Sequence, residues 1–175
     1  MEPIIILKSG EREKLSVYQD INNLKADKVA PHFSTHEMFN PRYGNFFHMS
    51  EYLLIVLELF RARTGQPVIL NSAYRPQAQQ EDLQKQTNHA AKRSPHPEGM
   101  AADIETKTRK ETLEKVRILE QISQETGITL RIGFASYLND GMTFIHVDVA
   151  PMYFAKNKIY HSINHPYAWE LEARW

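Results

Sequence analysis

The spacing of hydrophobic and polar residues predicts three helices. The first begins after Ser50, whose hydroxyl suits an N-cap, and ends at Gly65, which suits a C-cap. Its apolar positions cover nearly the whole circumference, so we expect this helix to be central in the fold. The third begins with a capping box formed by Thr108 and Glu111 and has one apolar face. That face consists of Leu113, Val116, Leu119 and Ile122. The predicted helices cover residues 50–65, 76–85 and 108–127.

Short apolar or alternating segments between these helices predict strands. They cover residues 2–8, 67–71, 100–105, 129–134 and 143–149, and a turn around residues 139–141 joins the last two. Residues 10–48 are rich in turn-forming and aromatic residues, and we predict little there beyond short helices. Strands and helices that are segregated along the chain favour an α+β fold, with a small, mostly antiparallel sheet and helices packed on one face.

Length and charge narrow the function classes. The 175 residues fit a single domain spanning residues 1–175. The 21 Lys and Arg residues balance the 21 Asp and Glu residues, so the chain has no net charge that would attract nucleic acid or an anionic membrane. No window approaches the roughly 18 consecutive apolar residues of a membrane helix. The start lacks the apolar run of a secretory signal, so we expect a cytoplasmic protein as synthesised.

Two of the predicted strands place polar side chains on a shared face. Side chains alternate along a strand, so Phe144, His146 and Asp148 share one face of the last predicted strand, and the apolar residues between them face the core. The same parity places Asp103 and Glu105 on one face of an earlier strand. Adjacent strands of this kind would line one polar groove.

His96 is a third polar residue that can reach this groove. It lies seven residues before Asp103 in a loop flanked by proline, and Gly99 permits the backbone to turn back over the strand. The chain contains no Cys, so any metal must be held by His, Asp or Glu. The imidazoles of His96 and His146 with the carboxylate of Asp103 suit zinc, and three protein ligands leave one position for water, as in catalytic sites. The alternative is that these are ordinary solvated, capping and core residues.

Other histidine pairs offer weaker metal sites. His32 with His36 and His161 with His165 each have the i, i+4 spacing that places two imidazoles on one helix face. Such pairs arise readily in a chain with eight histidines. Signatures of serine hydrolases, phosphate loops and dinucleotide sites are absent from the sequence.

Two motifs resemble a known family. They are Ser94-x-His96-x-x-Gly99-x-Ala101-x-Asp103-Ile104 and Phe144-Ile-His146-Val-Asp148. They are similar to the zinc-dependent M15 peptidases, which include D-alanyl-D-alanine carboxypeptidases, murein endopeptidases and phage endolysins, and to the subgroup with a His-Val-Asp strand. The segment that ends in Ser72-Ala-Tyr74-Arg75 is similar to the family's Ser-Gly-Tyr-Arg strand end. The resemblance covers roughly residues 30–150 and implies a fold like that of the hedgehog domain and the D-Ala-D-Ala peptidases.

The resemblance also implies site residues. It makes His96, Asp103 and His146 the ligands of a Zn²⁺ cofactor. It makes Arg75 the cation that holds the substrate carbonyl or carboxylate and supports the oxyanion, and it makes Ser94 a second substrate-binding residue. A guanidinium at the end of a buried strand is fixed and offers forked donors, which suits this role.

The general base differs from the family pattern. Many members have Glu or Asp three residues before the second histidine, and Thr143 occupies that position here. Asp148 is the first candidate for the base, or for the residue that orients His146, and Asp140 is the second. Glu98 is a third candidate that we expect to face solvent.

The resemblance implies a zinc peptidase that hydrolyses amide bonds in peptidoglycan stem peptides or cross-links, acting on the cell wall after release or export. It is consistent with a carboxypeptidase, an endopeptidase or a phage lysis enzyme. The alternative is a module with the same fold that binds zinc and wall peptides without hydrolysis, or that serves as a phage structural component. A third interpretation is an unrelated metal site at His161 and His165.

Overall fold

A computed structural model describes residues 4–7, 14–17, 28–43, 47–86, 94–139, 141 and 143–153. The strands in these ranges are β1 (Ile4–Leu7), β2 (Lys14–Val17), β3 (Lys28–Ala30), β4 (Phe33–Ser34), β5 (Phe47–Ser50), β6 (Leu70–Ser72), β7 (Ala101–Glu105), β8 (Arg131–Gly133) and β9 (Phe144–Asp148). The helices are α1 (Thr35–Met38), α2 (Glu51–Thr64), α3 (Gln77–Gln86), α4 (Arg109–Thr126) and α5 (Ala135–Asn139), and residues 41–43 and 150–152 form 3-10 turns.

A four-stranded antiparallel sheet forms the centre of the fold. Its strand order is β6-β7-β9-β8. Ile104, Ile145 and Val147 point to one face of this sheet and are fully buried. They belong to the same hydrophobic core as the buried residues of α2 and α4, and these two helices also contact each other. The predicted α+β fold, with helices on one face of a small antiparallel sheet, is confirmed.

The N-terminal part differs from the prediction. The predicted strand over residues 2–8 is present as β1, which pairs with β2 in antiparallel and with β5 in parallel orientation. The prediction of little beyond short helices in residues 10–48 is wrong, because β2, β3, β4 and β5 lie there. These strands have two to four residues each, which is too short for a periodic pattern, and they are defined by their pairing partners.

The long helices begin and end where the sequence predicts. The Ser50 hydroxyl accepts a hydrogen bond from the backbone N–H of Leu53, and Gly65 has a φ of 64° at the other end of α2. Thr108 and Gly127 have the same roles in α4. Most apolar residues of α2 lie in the core, but not every side of the helix is covered, since the Ile55 side chain is 41% exposed.

Three further details correct the predicted elements. Leu113 lies at the edge of the α4 core face and is exposed, and Thr112 takes the buried position there. The predicted buried strand over residues 67–71 is the short edge strand β6, with Ile69 exposed, because it has only β7 as a neighbour. The predicted turn between the last two strands contains the short helix α5.

Among the described residues, no helix is long and apolar enough to cross a membrane.

Candidate metal centre

Strands β7 and β9 bring one carboxylate and one imidazole together. Asp103 and His146 are direct partners in the antiparallel ladder, and they point away from the buried Ile104 and Ile145. Nδ1 of His146 lies 2.9 Å from Oδ1 of Asp103. The predicted parity of the two strands, with apolar residues towards the helices and polar residues on the other face, is therefore confirmed.

A tight turn before β7 brings His96 to the same place. Gly99 adopts a φ of 66° and donates its backbone N–H to the carbonyl of His96. The turn is tied to α2 by a hydrogen bond from the N–H of Ser50 to the carbonyl of Gly99. The imidazole of His96 is buried, and its Nδ1 lies 2.6 Å from the carbonyl oxygen of Ala73. A carbonyl only accepts, so Nδ1 carries the proton and Nε2 is the unprotonated nitrogen that can bind a metal.

The three side chains form a compact donor set. Nε2 of His96 lies 3.3 Å from Oδ1 of Asp103, and one donor atom from each of His96, Asp103 and His146 lies within 4.8 Å of the others. The two imidazole rings meet edge to face with their centroids 5.2 Å apart. Two nitrogens and one carboxylate oxygen are the ligand types that zinc prefers, so these residues fit that cofactor. Elsewhere in the described ranges, no second group of three such residues lies this close.

Asp148 lies behind His146, on the side away from Asp103. Its Oδ2 is 3.2 Å from Nε2 of His146, so each nitrogen of this imidazole faces a carboxylate. The Nε–H of Arg131 lies 2.9 and 3.0 Å from the two oxygens of Asp148, and the backbone N–H of Ala150 donates to Oδ1. Asp148 is 1% exposed and both of its oxygens are engaged. This geometry suits a residue that orients His146, in the manner of the carboxylates that hold zinc-binding histidines.

Arg75 lies on the other side of the cluster. Its Nη2 is 3.0 Å from Oδ2 of Asp103 and 3.0 Å from Oγ of Ser72, and its Nη1 is 2.8 Å from Oε1 of Gln80. The guanidinium is buried and fixed by these contacts at the end of β6. Arg75 thus lies beside the three candidate metal ligands, and it contacts the carboxylate of Asp103, which we expect to bind metal.

Burial and charge determine the protonation of the cluster. Burial lowers the pKa of His96 below its ordinary value, so this imidazole is neutral. Burial alone would lower the pKa of His146, but hydrogen bonds and charge from Asp103 and Asp148 outweigh it and raise that pKa to about 9. Burial opposes ionisation of Asp103, yet the neighbouring imidazoles hold its pKa well below the usual range. In the same way Arg131 and His146 outweigh burial and lower the pKa of Asp148. The metal-free centre therefore contains a proton on His146 that a cation would displace.

The other predicted residues have different outcomes. Oγ of Ser94 accepts a hydrogen bond from the backbone N–H of His96 at 3.3 Å, so Ser94 supports the turn that presents this ligand. Thr143 and Glu98 are exposed. Asp140 lies outside the described residues, and so do His161 and His165, and their predicted roles stay predictions. His32 and His36 are both exposed, and Nδ1 of His32 lies 2.6 Å from Oε2 of Glu58.

Sequence reasoning missed the support provided by β8. Arg131 pairs with Asp148 across the sheet, and Gly133 pairs with His146. A Cβ atom at Gly133 would lie 3.6 Å from Cβ of His146, in ordinary van der Waals contact, so β8 packs closely against this residue. The parity of residues 129–134 would have placed Arg131 on the polar face, but only the register between β8 and β9 shows which residue it contacts.

The sequence also matches a known protein family. The chain matches the family model described as peptidoglycan L,D-endopeptidase MepK over residues 19–153. No curated protein and no solved structure matches the chain. The matched region includes the whole His96, Asp103 and His146 cluster and spans more than half of the chain. The chain therefore belongs to this family of M15 peptidases, which hydrolyse peptidoglycan.

Proposed function

We propose that the chain is a zinc-dependent endopeptidase that cleaves an L,D amide bond in the peptide cross-links of peptidoglycan. The observation that supports this most is the convergence of donor atoms from His96, Asp103 and His146 within 4.8 Å on the polar face of the sheet. The description of the matched family as an L,D-endopeptidase supports the choice of an internal bond over a chain end.

The residues around the ligands support zinc as the cofactor. His96 is fixed as a ligand by the carbonyl of Ala73, Asp103 is held by Arg75, and His146 is held by Asp148. Partners of this kind fix the tautomer and direction of each ligand before the metal arrives. When bound, zinc would supply Lewis acidity toward a water molecule and toward the carbonyl of the scissile bond.

Arg75 supplies positive charge at the reacting group. Its guanidinium lies beside Asp103 in a largely buried position, and buried charges act more strongly than exposed ones because water does not screen them. We assign Arg75 the role of binding the substrate carbonyl and stabilising the negative charge that develops on its oxygen. Ser72 and Gln80 hold the guanidinium, so this charge is in place before the substrate binds.

We assign proton transfer to a residue other than Asp148. Both oxygens of Asp148 are occupied by Arg131, His146 and the N–H of Ala150, and the side chain has almost no exposure. Asp140 is the next candidate from the sequence, and Glu98, in the turn that presents His96, is the one after it. Asp140→Asn and Glu98→Gln variants identify the base, because of these two the one that removes the base should abolish activity while zinc content stays unchanged.

The test of the proposal uses purified cross-linked peptides from bacterial wall. Zinc-loaded protein should cut the cross-link, with products identified by mass spectrometry, and a chelator or the His146→Ala substitution should abolish the cleavage. Glu114→Gln, on the exposed face of α4, is the matched control and should cleave normally. The second candidate function, a non-hydrolytic module, is favoured by Thr143 at the position where many M15 members have an acid. Zinc-loaded protein that binds the peptides but releases no product would support the module and contradict the peptidase.

A further inference from the structure

Tyr153, at the end of the last described range, contacts the start of α2. Its hydroxyl lies 2.6 Å from Oγ of Ser50, which is 103 residues away in the sequence. Ser50 is the N-cap of α2 and is fully buried. The ring of Tyr153 packs edge to face against the ring of Tyr52, with the centroids 5.6 Å apart. A short hydrogen bond and a ring contact therefore fix Tyr153 against this end of the helix.

Ser50 also contacts the turn that presents His96. Its backbone N–H donates to the carbonyl of Gly99 at 2.8 Å, and the N–H of Gly99 donates to the carbonyl of His96 at 3.0 Å. The Ser50 hydroxyl accepts the N–H of Leu53 at 3.4 Å as well. A change in the position of Ser50 would therefore move the turn, and with it the first of the two imidazoles that we expect to bind metal.

The backbone of Tyr153 belongs to the structure that supports the second imidazole. Its N–H donates to the carbonyl of Ala150 at 3.0 Å and closes the 3-10 turn of residues 150–152. The N–H of Ala150 donates in turn to Oδ1 of Asp148 at 3.0 Å. The other oxygen of Asp148 contacts His146. The backbone of residue 153 is therefore two hydrogen bonds away from the carboxylate that supports this ligand.

Further contacts hold the 3-10 turn in place. The N–H of Val149 donates to the carbonyl of Met100 at 3.0 Å, next to the ladder between β7 and β9. The N–H of Thr129 donates to Sδ of Met152 at 3.2 Å, and Met152 and Tyr153 both pack against the hydrophobic core. The Tyr153 hydroxyl is thus held from two sides, by this turn and by the start of α2.

The Tyr153 hydroxyl is neutral at physiological pH. Burial raises its pKa above the ordinary value, although the hydrogen bond with Ser50 opposes this rise. Tyr153 therefore contributes a hydrogen bond between two hydroxyl groups and no charge. Removal of the hydroxyl should change the positions of its neighbours without changing the charge of the metal centre.

We propose that Tyr153 is a positioning residue for the candidate metal centre. Its side chain and its backbone connect the turn of His96 with the support of His146, which come from separate parts of the chain. A metal ion requires both imidazoles at set distances from one point, so a connection that fixes one support relative to the other should favour binding. The inference rests on the proposed function in taking zinc as the ion, and its test includes a measurement made without metal.

Zinc affinity, measured by competition with a chelator, is the first test. Tyr153→Phe removes one hydroxyl and keeps the ring against Tyr52, and it should lower zinc affinity about fivefold. Tyr52→Phe removes the hydroxyl from the other ring of the same pair and keeps the contact between Tyr153 and Ser50. This matched control should bind zinc as the wild type does. Equal affinity in the two folded variants would overturn the positioning role.

A double variant tests the route through Ser50. Ser50→Ala removes the partner of the Tyr153 hydroxyl together with the N-cap of α2, so it should lower zinc affinity at least as much as Tyr153→Phe. The protein with both substitutions should bind zinc no more weakly than Ser50→Ala alone, because both changes break the same hydrogen bond. Additive losses of zinc affinity would contradict this route.

NMR of the imidazole nitrogens in chelator-treated protein tests the positioning without metal. Tyr153→Phe should shift the nitrogen signals of both His96 and His146, and Tyr52→Phe should leave both in place. A role in stability alone would lower the free energy of unfolding and leave the signals of the folded protein unchanged, which would contradict the inference.

The two measurements separate this inference from the proposed function. If both signals shift but the wild-type protein binds no zinc and cuts no peptide, the positioning role stands and the zinc peptidase is contradicted. If the wild-type protein binds zinc and cleaves the cross-link, and Tyr153→Phe changes neither the signals nor the zinc affinity, the positioning role alone is contradicted.

Discussion

His146 and Asp148 lie two residues apart on one strand, with Nε2 of the imidazole 3.2 Å from Oδ2 of the carboxylate. The opposite ring nitrogen faces Asp103 at 2.9 Å. Nδ1 of the ring therefore lies on the side of Asp103, where we expect the metal, and Nε2 contacts the carboxylate of Asp148. We expect Asp148 to orient the ring from the side opposite the metal.

We predict that Asp148→Asn lowers zinc affinity about 10- to 100-fold, because the amide holds His146 less firmly than the carboxylate does. Competition with a chromophoric chelator measures this affinity. Asp82→Asn, on the exposed face of α3, is the control and should bind zinc as the wild type does. Unchanged zinc affinity in a folded Asp148→Asn protein would show that this carboxylate does not orient the ligand.

Arg131 should act on the metal centre only through Asp148. Arg131→Met leaves a buried carboxylate with one partner fewer and should reduce the free energy of unfolding by about 3 kcal/mol. It should also weaken zinc binding, and the double variant with Asp148→Asn should bind zinc no more weakly than Asp148→Asn alone. Additive losses of zinc affinity in the double variant would show that Arg131 has a separate effect.

The stability of the metal-free protein should fall as pH rises from about 6.5 to about 9. The pKa of His146 is raised to about 9 in the folded protein by Asp103 and Asp148, in spite of burial, and is about 6.5 in the unfolded chain. The folded state therefore holds a proton that the unfolded state has lost, and the stabilisation is complete below pH 6.5 and lost through pH 9. The loss is on the order of 3 kcal/mol.

Titration of His96 does not cancel the fall in stability that we expect from His146 between about pH 7.5 and 9. Its pKa is lowered in the folded protein, so His96 gives a slope of the opposite sign that is confined to pH values near and below 6.5 and has ended by about pH 7.5. Thermal unfolding at pH 6.5, 7.5 and 9 measures the effect. Saturating zinc should remove the slope, because the metal takes the place of the proton. An equal fall with and without zinc would mean that other groups cause it.

Arg75→Met should reduce both metal binding and catalysis. Asp103 loses the donor on its Oδ2, so zinc affinity should fall about tenfold. The substrate carbonyl loses a buried cation, so kcat at saturating zinc should fall about 100-fold. Chelator competition and steady-state kinetics separate the two effects, and exposed Arg117→Met is the control. A loss of zinc affinity with normal kcat at saturating zinc would remove Arg75 from the reaction and leave it as a support for Asp103.

Gly99→Ala should disturb the turn that presents His96. A φ of 66° is unfavourable for a residue with a side chain, so the free energy of unfolding should decrease by about 1 kcal/mol. Zinc affinity should fall as well, because the same turn positions His96. Gly127→Ala, with a φ of 71° at the end of α4, is the matched control and should lose similar stability with normal zinc affinity. Equal zinc affinity in both variants would contradict the role assigned to the turn.

The sequence predicted the ligand cluster because strand parity is a local property. Alternation assigned Asp103 and His146 to one face, and the proline-flanked turn with Gly99 brought His96 within reach. Helix ends were equally local, since Ser50 and Gly65 have their capping roles regardless of distant contacts. These features are determined by a few neighbouring residues.

Features that depend on distant partners were not predictable in this way. Strands β2 to β5 are too short for a pattern, and only their pairing defines them. The contact between Arg131 and Asp148 depends on the register of β8 against β9. The same contact favours the second of the two roles predicted for Asp148, the orientation of His146, over that of general base, and no property of residue 148 alone indicates this preference.

The ladder between β7 and β9 has a practical consequence for anyone preparing this protein. If β9 slipped by one position relative to β7, the side chain of His146 would point into the apolar core. Asp103 would then lie opposite a hydrophobic residue of β9. Misfolded or slipped molecules would then fail to take up the ion. The stoichiometry of bound metal in a preparation would thus report the fraction of molecules whose sheet is correctly assembled.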